Sequence, residues 1–230
     1  MVAVNDRALA FDRTCFYPGG GGQPSDDGTV RVVGGETLEI VSVHADTDEV
    51  VWHVTRSALS PALVGLSATL VVNRARRVAL TRHHTVLHVL NTIALRDYDG
   101  WITGVQIGVE QSRIDFKLEG LSTALCAELE RKVNAVLAGN HTVRAYDVSE
   151  DEFRSRDDLL RTHDARPPVH DGRVRVVEIE GFDAQACGGT HVSATSDVGR
   201  FAIVRTENTG KINKRLYIRL DDPGSRAEGR

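Results

Sequence analysis

His84-Thr85-Val86-Leu87-His88 sets two histidines four residues apart inside a stretch that reads as helix. Four residues is just over one helical turn, so both imidazoles leave the same face. Two imidazoles on one face are half of a tetrahedral zinc site. The other half lies far along the chain in Cys187-Gly188-Gly189-Thr190-His191, a cysteine four residues before a histidine in a glycine-bearing turn. A thiolate and three imidazoles suit zinc, one ion per chain, with His84, His88, Cys187 and His191 as ligands. Gly188 and Gly189 are expected to let the backbone bend so that both side chains of this second half face the ion. The fold must therefore bring a mid-chain helix against a late loop. A metalloprotease of the His-Glu-x-x-His type is disfavoured, because Thr85 stands where the glutamate base would be.

Working outward, Asn73 is a helix N-cap, and Val78, Leu80, Leu87 and Leu90 lay an apolar stripe beside the histidines until the helix ends near Arg96-Asp97. Before Asn73, β-branched runs at Val30–Val32, Leu38–Val43, Val50–Val54 and Leu66–Val72 are split by Gly34-Gly35 and Asp46-Thr47-Asp48. Short strands with tight turns predict a small barrel-like or curled sheet. His44 and His53 fall in these strands without a ligand pattern and read as ordinary surface or hydrogen-bonded histidines. After the helix come β segments over 101–116, a helix capped by Ser122 and stopped at Gly139-Asn140, and a strand from Thr142 to Val148. Ser149 and Glu152 form a capping box for a short helix through about Thr162. Further strands are expected at Arg173–Ile179, Gly199–Thr206 and Lys214–Leu220. The fold class is α+β: a small N-terminal β-barrel-like domain over 1–72, a zinc-containing α+β domain over 73–222 and a polar tail over 223–230.

Of 230 residues, 41% are hydrophobic and 26% charged, a globular balance that excludes a disordered chain. The net charge of -4 gives no overall basic field, so any RNA contact must come from local patches. No apolar run is long enough for a membrane helix, and Met1 to Arg7 lacks a signal-peptide core. Three cysteines, an odd number, argue against a disulfide framework. A cytoplasmic protein without a membrane partner is expected, with a monomer favoured.

Three motifs carry a family resemblance. His84-Thr85-Val86-Leu87-His88 resembles the HTAxHLL signature of the alanyl-tRNA synthetase editing domain. Cys187-Gly188-Gly189-Thr190-His191-Val192 resembles its CGGTHV signature, and Thr14-Cys15-Phe16-Tyr17-Pro18 through Gln23 resembles its FYPxxGGQ motif. They occur in the family's order and span residues 12 to 220. With no room before Asp12 for an aminoacylation domain, and little chain after Asp221 for an oligomerisation domain, the resemblance is to the free-standing, medium-length AlaX-type editing proteins. It implies ATP-independent hydrolysis of the ester joining a wrong amino acid, serine first and glycine second, to the 3′ end of alanine tRNA. The need is physical, since a pocket for alanine cannot exclude the smaller glycine and rejects an added hydroxyl poorly. By the same resemblance Thr14 sits near the amino acid, where its hydroxyl bonds the seryl hydroxyl, and Gln23 contacts the ester or the amino acid. Four glycines in a row, Gly19 to Gly22, permit close backbone approach, which offers Gly20, Gly21 and Gly22 to the tRNA. The basic cluster Lys211, Lys214 and Arg215 reads either as a phosphate contact or as a solvated strand edge. Arg74, Arg76 and Arg77 read the same way, and Asp115 is a further candidate.

The role of zinc stays open at this level. Four protein ligands usually mark a closed structural site, whereas a catalytic zinc keeps a position for water. Water activation with one loosely bound ligand, positioning of the ribose or amino group, and simple bracing all survive, and no general base stands near either metal motif in sequence. A zinc-braced module that binds aminoacyl-tRNA without hydrolysis, or a deacylase of broader tRNA specificity, would share these motifs. The Phe-Tyr-Pro-Gly motif favours the alanine branch over the related threonyl-tRNA editing module.

Overall fold

In the computed structural model the described residues are 1–161, 167–208, 210 and 212–222. Lys211, the expected helix end at Thr162 and the tail 223–230 lie outside them. The chain forms two compact units, Met1–Val78 and Ala79–Arg230.

The first unit is an antiparallel sheet of six strands: β1 (Ala3–Val4), β2 (Ala8–Ala10), β3 (Gly28–Val32), β4 (Thr37–Ala45), β5 (Val51–Thr55) and β6 (Ala68–Val72), in the order β1-β2-β5-β4-β3-β6. Alternation places Val30 and Val32 of β3, and Leu38 and Ile40 of β4, in one core with Leu9 and Phe16, and a register shift between Ile40 and Ser42 turns Val43 to the same face. The expected barrel does not close. Met1 bonds to Leu66 and Gly65 through its backbone, at 2.8 and 3.1 Å, but the two-residue β1 is too short to build a ladder with β6.

The second unit is built around α1 (Arg74–Tyr98), whose first turns precede it in the chain. Asn73 caps the helix, its Oδ1 accepting the Arg76 amide at 3.3 Å. No glycine or proline interrupts α1. From His83 to Ala94 every residue is buried, so this stretch is a central helix enclosed on all sides and not the one-sided amphipathic helix expected. Around it come β7 (Trp101–Gln106), β8 (Ser112–Lys117), α2 (Thr123–Ala138), β9 (Val143–Ser149), α3 (Glu150–Arg154), β10 (Arg173–Ile179), β11 (Asp183–Ala186), β12 (Phe201–Asn208) and β13 (Asn213–Leu220). They form a four-stranded antiparallel sheet, β12-β13-β8-β7, and a three-stranded one, β11-β10-β9. Leu80, Leu87, Leu90 and Ile93 of α1 share one core with Ile114 and Phe116 of β8, Leu129 and Val133 of α2, and Leu216 and Ile218 of β13. Of the expected capping box, the serine half opens α3, with Ser149 Oγ accepting the Glu152 amide at 3.1 Å. The helix nevertheless stops at Arg154, because Ser155 turns its hydroxyl back onto the Glu152 carbonyl at 2.7 Å and the chain continues as a short 3-10 turn. Among the described residues no helix is long and apolar enough to cross a membrane.

Candidate functional site

The buried stretch of α1 carries six polar side chains: His83, His84, Thr85, His88, Asn91 and Thr92. A buried polar group without a partner is costly, so the partners of these six mark where the sequence has placed chemistry. His84 and His88 find Cys187 and His191: the four ligand atoms lie within 4.8 Å of one another. Cys187 Sγ is 3.5 Å from His84 Nε2 and 3.5 Å from His191 Nε2. Tetrahedral zinc with its usual Zn–S and Zn–N bond lengths requires a sulfur–nitrogen separation of about 3.5 Å, so the Cys187 sulfur and these two imidazoles stand at the spacing such an ion needs.

The electrostatics suit a cation. Burial pushes His84 down to about 4, with the Arg175 charge adding to it. Burial also holds His88 and His191 well below the ordinary imidazole range. All three rings are neutral near pH 7, with lone pairs to give. Burial pushes the Cys187 thiol up, against the opposing Gly189 amide and Arg175 guanidinium. A bound cation would supply the charge that turns this thiol into a thiolate.

Each half of the cluster is fixed by its own scaffold. β10 and β11 form a hairpin, and the Cys187 amide extends it by donating to the Arg175 carbonyl at 2.9 Å. Arg175 Nη1 then donates to the Cys187 and Gly189 carbonyls at 2.7 and 2.9 Å, and the Gly189 amide reaches Cys187 Sγ at 3.3 Å. The bend attributed to Gly188 and Gly189 needs no left-handed torsion, since neither has a positive φ; the arginine holds the loop. Thr190 meets Thr81 of α1 hydroxyl to hydroxyl at 2.8 Å. Thr85 gives its one proton to the Thr81 carbonyl at 3.0 Å, so its oxygen accepts from the Val192 amide at 3.2 Å and from His191 Nδ1 at 3.1 Å. His191 is thereby held in the tautomer whose Nε2 lone pair faces the cluster.

One turn further along α1, the Asn91 and Gln185 amides pair face to face at 2.9 and 3.0 Å, and Gln185 also donates to Asp183 at 2.7 Å. Sequence alone does not point to Thr85, Arg175 or this amide pair as site-building residues. Only Thr85, between the histidines, offered a signal in linear order.

The motif around Thr14 lies in the first unit. The glycine run is an ordered tight turn: Gly20 and Gln23 exchange backbone bonds at 3.0 and 2.9 Å, with positive φ at Gly21 and Gly22. Gln23 is 2% exposed. Asp26 accepts the Tyr17 amide at 2.6 Å and pairs with Arg77, which also bonds the Cys15 carbonyl at 2.8 Å. Arg76 binds the Ser25 carbonyl at 3.2 Å, so these two arginines brace the motif, while Arg74 is exposed. Thr14 Oγ lies 2.7 Å from Nε2 of His53. His53, read from sequence as an ordinary histidine, is fully buried. On β13, Arg215 grips Asp115 with two bonds of 2.8 and 3.0 Å, and the buried Lys214 donates to the Gly210 carbonyl at 3.4 Å. Both cations are engaged within the protein.

The family model for the second additional domain of threonyl- and alanyl-tRNA synthetases matches residues 174–217, the stretch that carries the Cys187 loop. The alanyl-tRNA editing protein AlaX-M of Methanosarcina acetivorans is 36% identical over 95% of this chain and 91% of its own length. This chain belongs to the AlaX-M family of alanyl-tRNA editing proteins. The AlaX-M protein of Saccharolobus solfataricus is 28% identical over 94% of the chain and 90% of its own length. The alanine–tRNA ligase of Methanosphaera stadtmanae is 34% identical over 97% of the chain, which corresponds to 25% of the ligase.

Proposed function

We propose that this AlaX-M family deacylase hydrolyses the ester that joins serine, and secondarily glycine, to the 3′ end of alanine tRNA, with zinc held by His84, His88, Cys187 and His191. The observation that carries the reading is the convergence of those four donors within 4.8 Å, in a chain whose AlaX-M relatives match it nearly end to end. In the reaction a water oxygen bonds to the ester carbonyl carbon and the bond to the ribose oxygen breaks, leaving free amino acid and intact tRNA. Zinc, when bound, would be held between α1 and the Cys187 loop by these four residues and would supply Lewis acidity there. The Thr14 hydroxyl accepts a hydrogen bond from the seryl hydroxyl, which alanine lacks. Gln23 orients the ester or the amino group. The turn at Gly20, Gly21 and Gly22 gives the terminal nucleotide a close approach to backbone, Gly21 having no neighbouring atom within 4 Å of where a Cβ would stand.

The test is release of serine from Ser-tRNA(Ala), with Ala-tRNA(Ala) and Ser-tRNA(Ser) as controls and metal content measured in the same preparation. Fast release from the first alone is expected. Release from both seryl-tRNAs would make the enzyme a deacylase that reads the amino acid and not the tRNA. No release from zinc-loaded, folded protein would leave a binding module.

A further inference from the structure

Behind Thr14 stands an imidazole with no exposed surface of its own. His53 lies between the edges of the Phe11 and Phe16 rings, 5.0 and 5.1 Å away between centroids. Its Nδ1 is 3.1 Å from the Leu9 carbonyl, and its Nε2 is 2.7 Å from Thr14 Oγ. A carbonyl only accepts, so Nδ1 carries the proton. Burial pushes the His53 pKa down, so the ring is neutral and Nε2 is an acceptor. The Thr14 hydroxyl must then donate its single proton to His53. Its oxygen also accepts the Phe16 amide at 3.1 Å. A hydroxyl has one proton and two lone pairs, so one lone pair is left and nothing to donate.

We infer that His53 is a positioning residue for specificity: it pins the Thr14 hydroxyl as a pure acceptor, so that only an amino acid carrying a hydrogen-bond donor at the serine hydroxyl position satisfies it. The inference rests on the serine-editing reading above and deepens it. A freely rotating threonine would serve as donor or acceptor by turns. The pinned one answers a seryl O–H and is left unsatisfied by an alanyl methyl group or a glycyl hydrogen. The geometry repeats the logic of a hydroxyl–imidazole–acceptor chain. Its outcome here is orientation, because the buried ring is a weak base.

The experiment compares serine release from Ser-tRNA(Ala) with glycine release from Gly-tRNA(Ala) in zinc-loaded protein. In His53→Leu the serine-to-glycine ratio of kcat/KM is expected to fall about tenfold, the worth of one well-formed hydrogen bond. His53→Gln places an amide oxygen near the position of Nε2 and is expected to recover most of that ratio. A packing role would order the two variants the other way. Thr14→Val combined with His53→Leu is expected to lose no more selectivity than Thr14→Val alone, because one residue acts through the other. An unchanged ratio in His53→Leu, additive losses in the double variant, or collapse of serine and glycine release alike would each overturn the inference, the last by making His53 a base. Long-range proton–nitrogen NMR of the unmodified protein supplies a readout independent of turnover. His53 Nδ1 is expected to be protonated and Nε2 bare, and the opposite tautomer would overturn the inference. A wild-type protein that releases neither amino acid refutes the proposed function, and the tautomer still decides this point.

Discussion

Oγ of Thr85 stands 3.1 Å from Nδ1 of His191, joining the residue after the first histidine of the cluster to its last histidine. The threonine hydroxyl is already donating to the Thr81 carbonyl, so it can only receive the imidazole proton. Thr85→Val keeps the volume and removes the acceptor. The expected result is a zinc affinity lower by roughly 10–100-fold, as for other losses of a metal ligand's hydrogen-bond partner. Competition with a chromogenic chelator measures it, with helical circular dichroism as the control for folding. Wild-type affinity would mean that the His191 tautomer is fixed elsewhere.

Arg175 is the corresponding brace on the loop. Its Nη1 holds the Cys187 and Gly189 carbonyls, and no glycine torsion substitutes for it. Arg175→Leu is expected to cost about 2 kcal/mol of stability, since charge-assisted bonds are the stronger ones and two are lost. It should also release zinc faster, which stopped-flow transfer to a chelator would follow. A variant that loses stability but keeps the wild-type zinc off-rate would show that the loop is preorganised without the arginine.

The parts legible in the sequence were those with local causes. Asn73, Ser122 and Ser149 cap helices through bonds to amides three residues on, and each accepts such a bond here. The β-branched runs became β3 to β6, and the two ligand pairs at four-residue spacing met. The parts not legible depend on distant neighbours. β11, Asp-Ala-Gln-Ala, has no β-branched residue and is a strand because β10 pairs with it. His53 has no ligand pattern around it, and its role depends on Thr14 and Leu9, brought beside it by the loop after β2 and by the β2–β5 pairing. The enclosure of α1 on all sides follows from two sheets and a second helix, which no helical periodicity announces.

The buried His53 also makes stability depend on pH. Its folded pKa is depressed by burial, while the unfolded chain keeps the ordinary value of about 6.5. Below that value the unfolded state takes up a proton that the folded state refuses, so stability is lost as pH falls from about 6.5 towards the folded value. The contribution has a ceiling of about 1.4 kcal/mol per pH unit for one histidine. Urea unfolding followed between about pH 7.5 and 5.5 should show the loss, and His53→Gln should lessen the slope in that window, the remainder belonging to the other histidines that burial holds low, His83, His84, His88 and His191. An equal slope in both proteins would mean that His53 titrates normally.

The amide pair of Asn91 and Gln185 poses a sharper energetic question, because its surroundings hold more acceptors than protons. Gln185 Nε2 lies within 3.2 Å of Asn91 Oδ1, Asp183 Oδ2, Thr92 Oγ and the His88 carbonyl. Two amide protons cannot serve four acceptors fully, so the site depends on Gln185 as its donor, and burial already pushes the Asp183 carboxyl up against the pull of Arg161. Gln185→Leu leaves Asn91 and Asp183 facing an apolar group and is expected to cost about 2–3 kcal/mol, the penalty of stranding buried polar groups. Asn91→Leu made in the same protein removes one of the stranded partners. The double variant should therefore lie closer to the wild type than the sum of the single losses, a coupling that urea denaturation reads directly. Strict additivity would mean that the two amides share a buried space without depending on each other, and that Asp183 finds donors enough in Arg161 and Thr92.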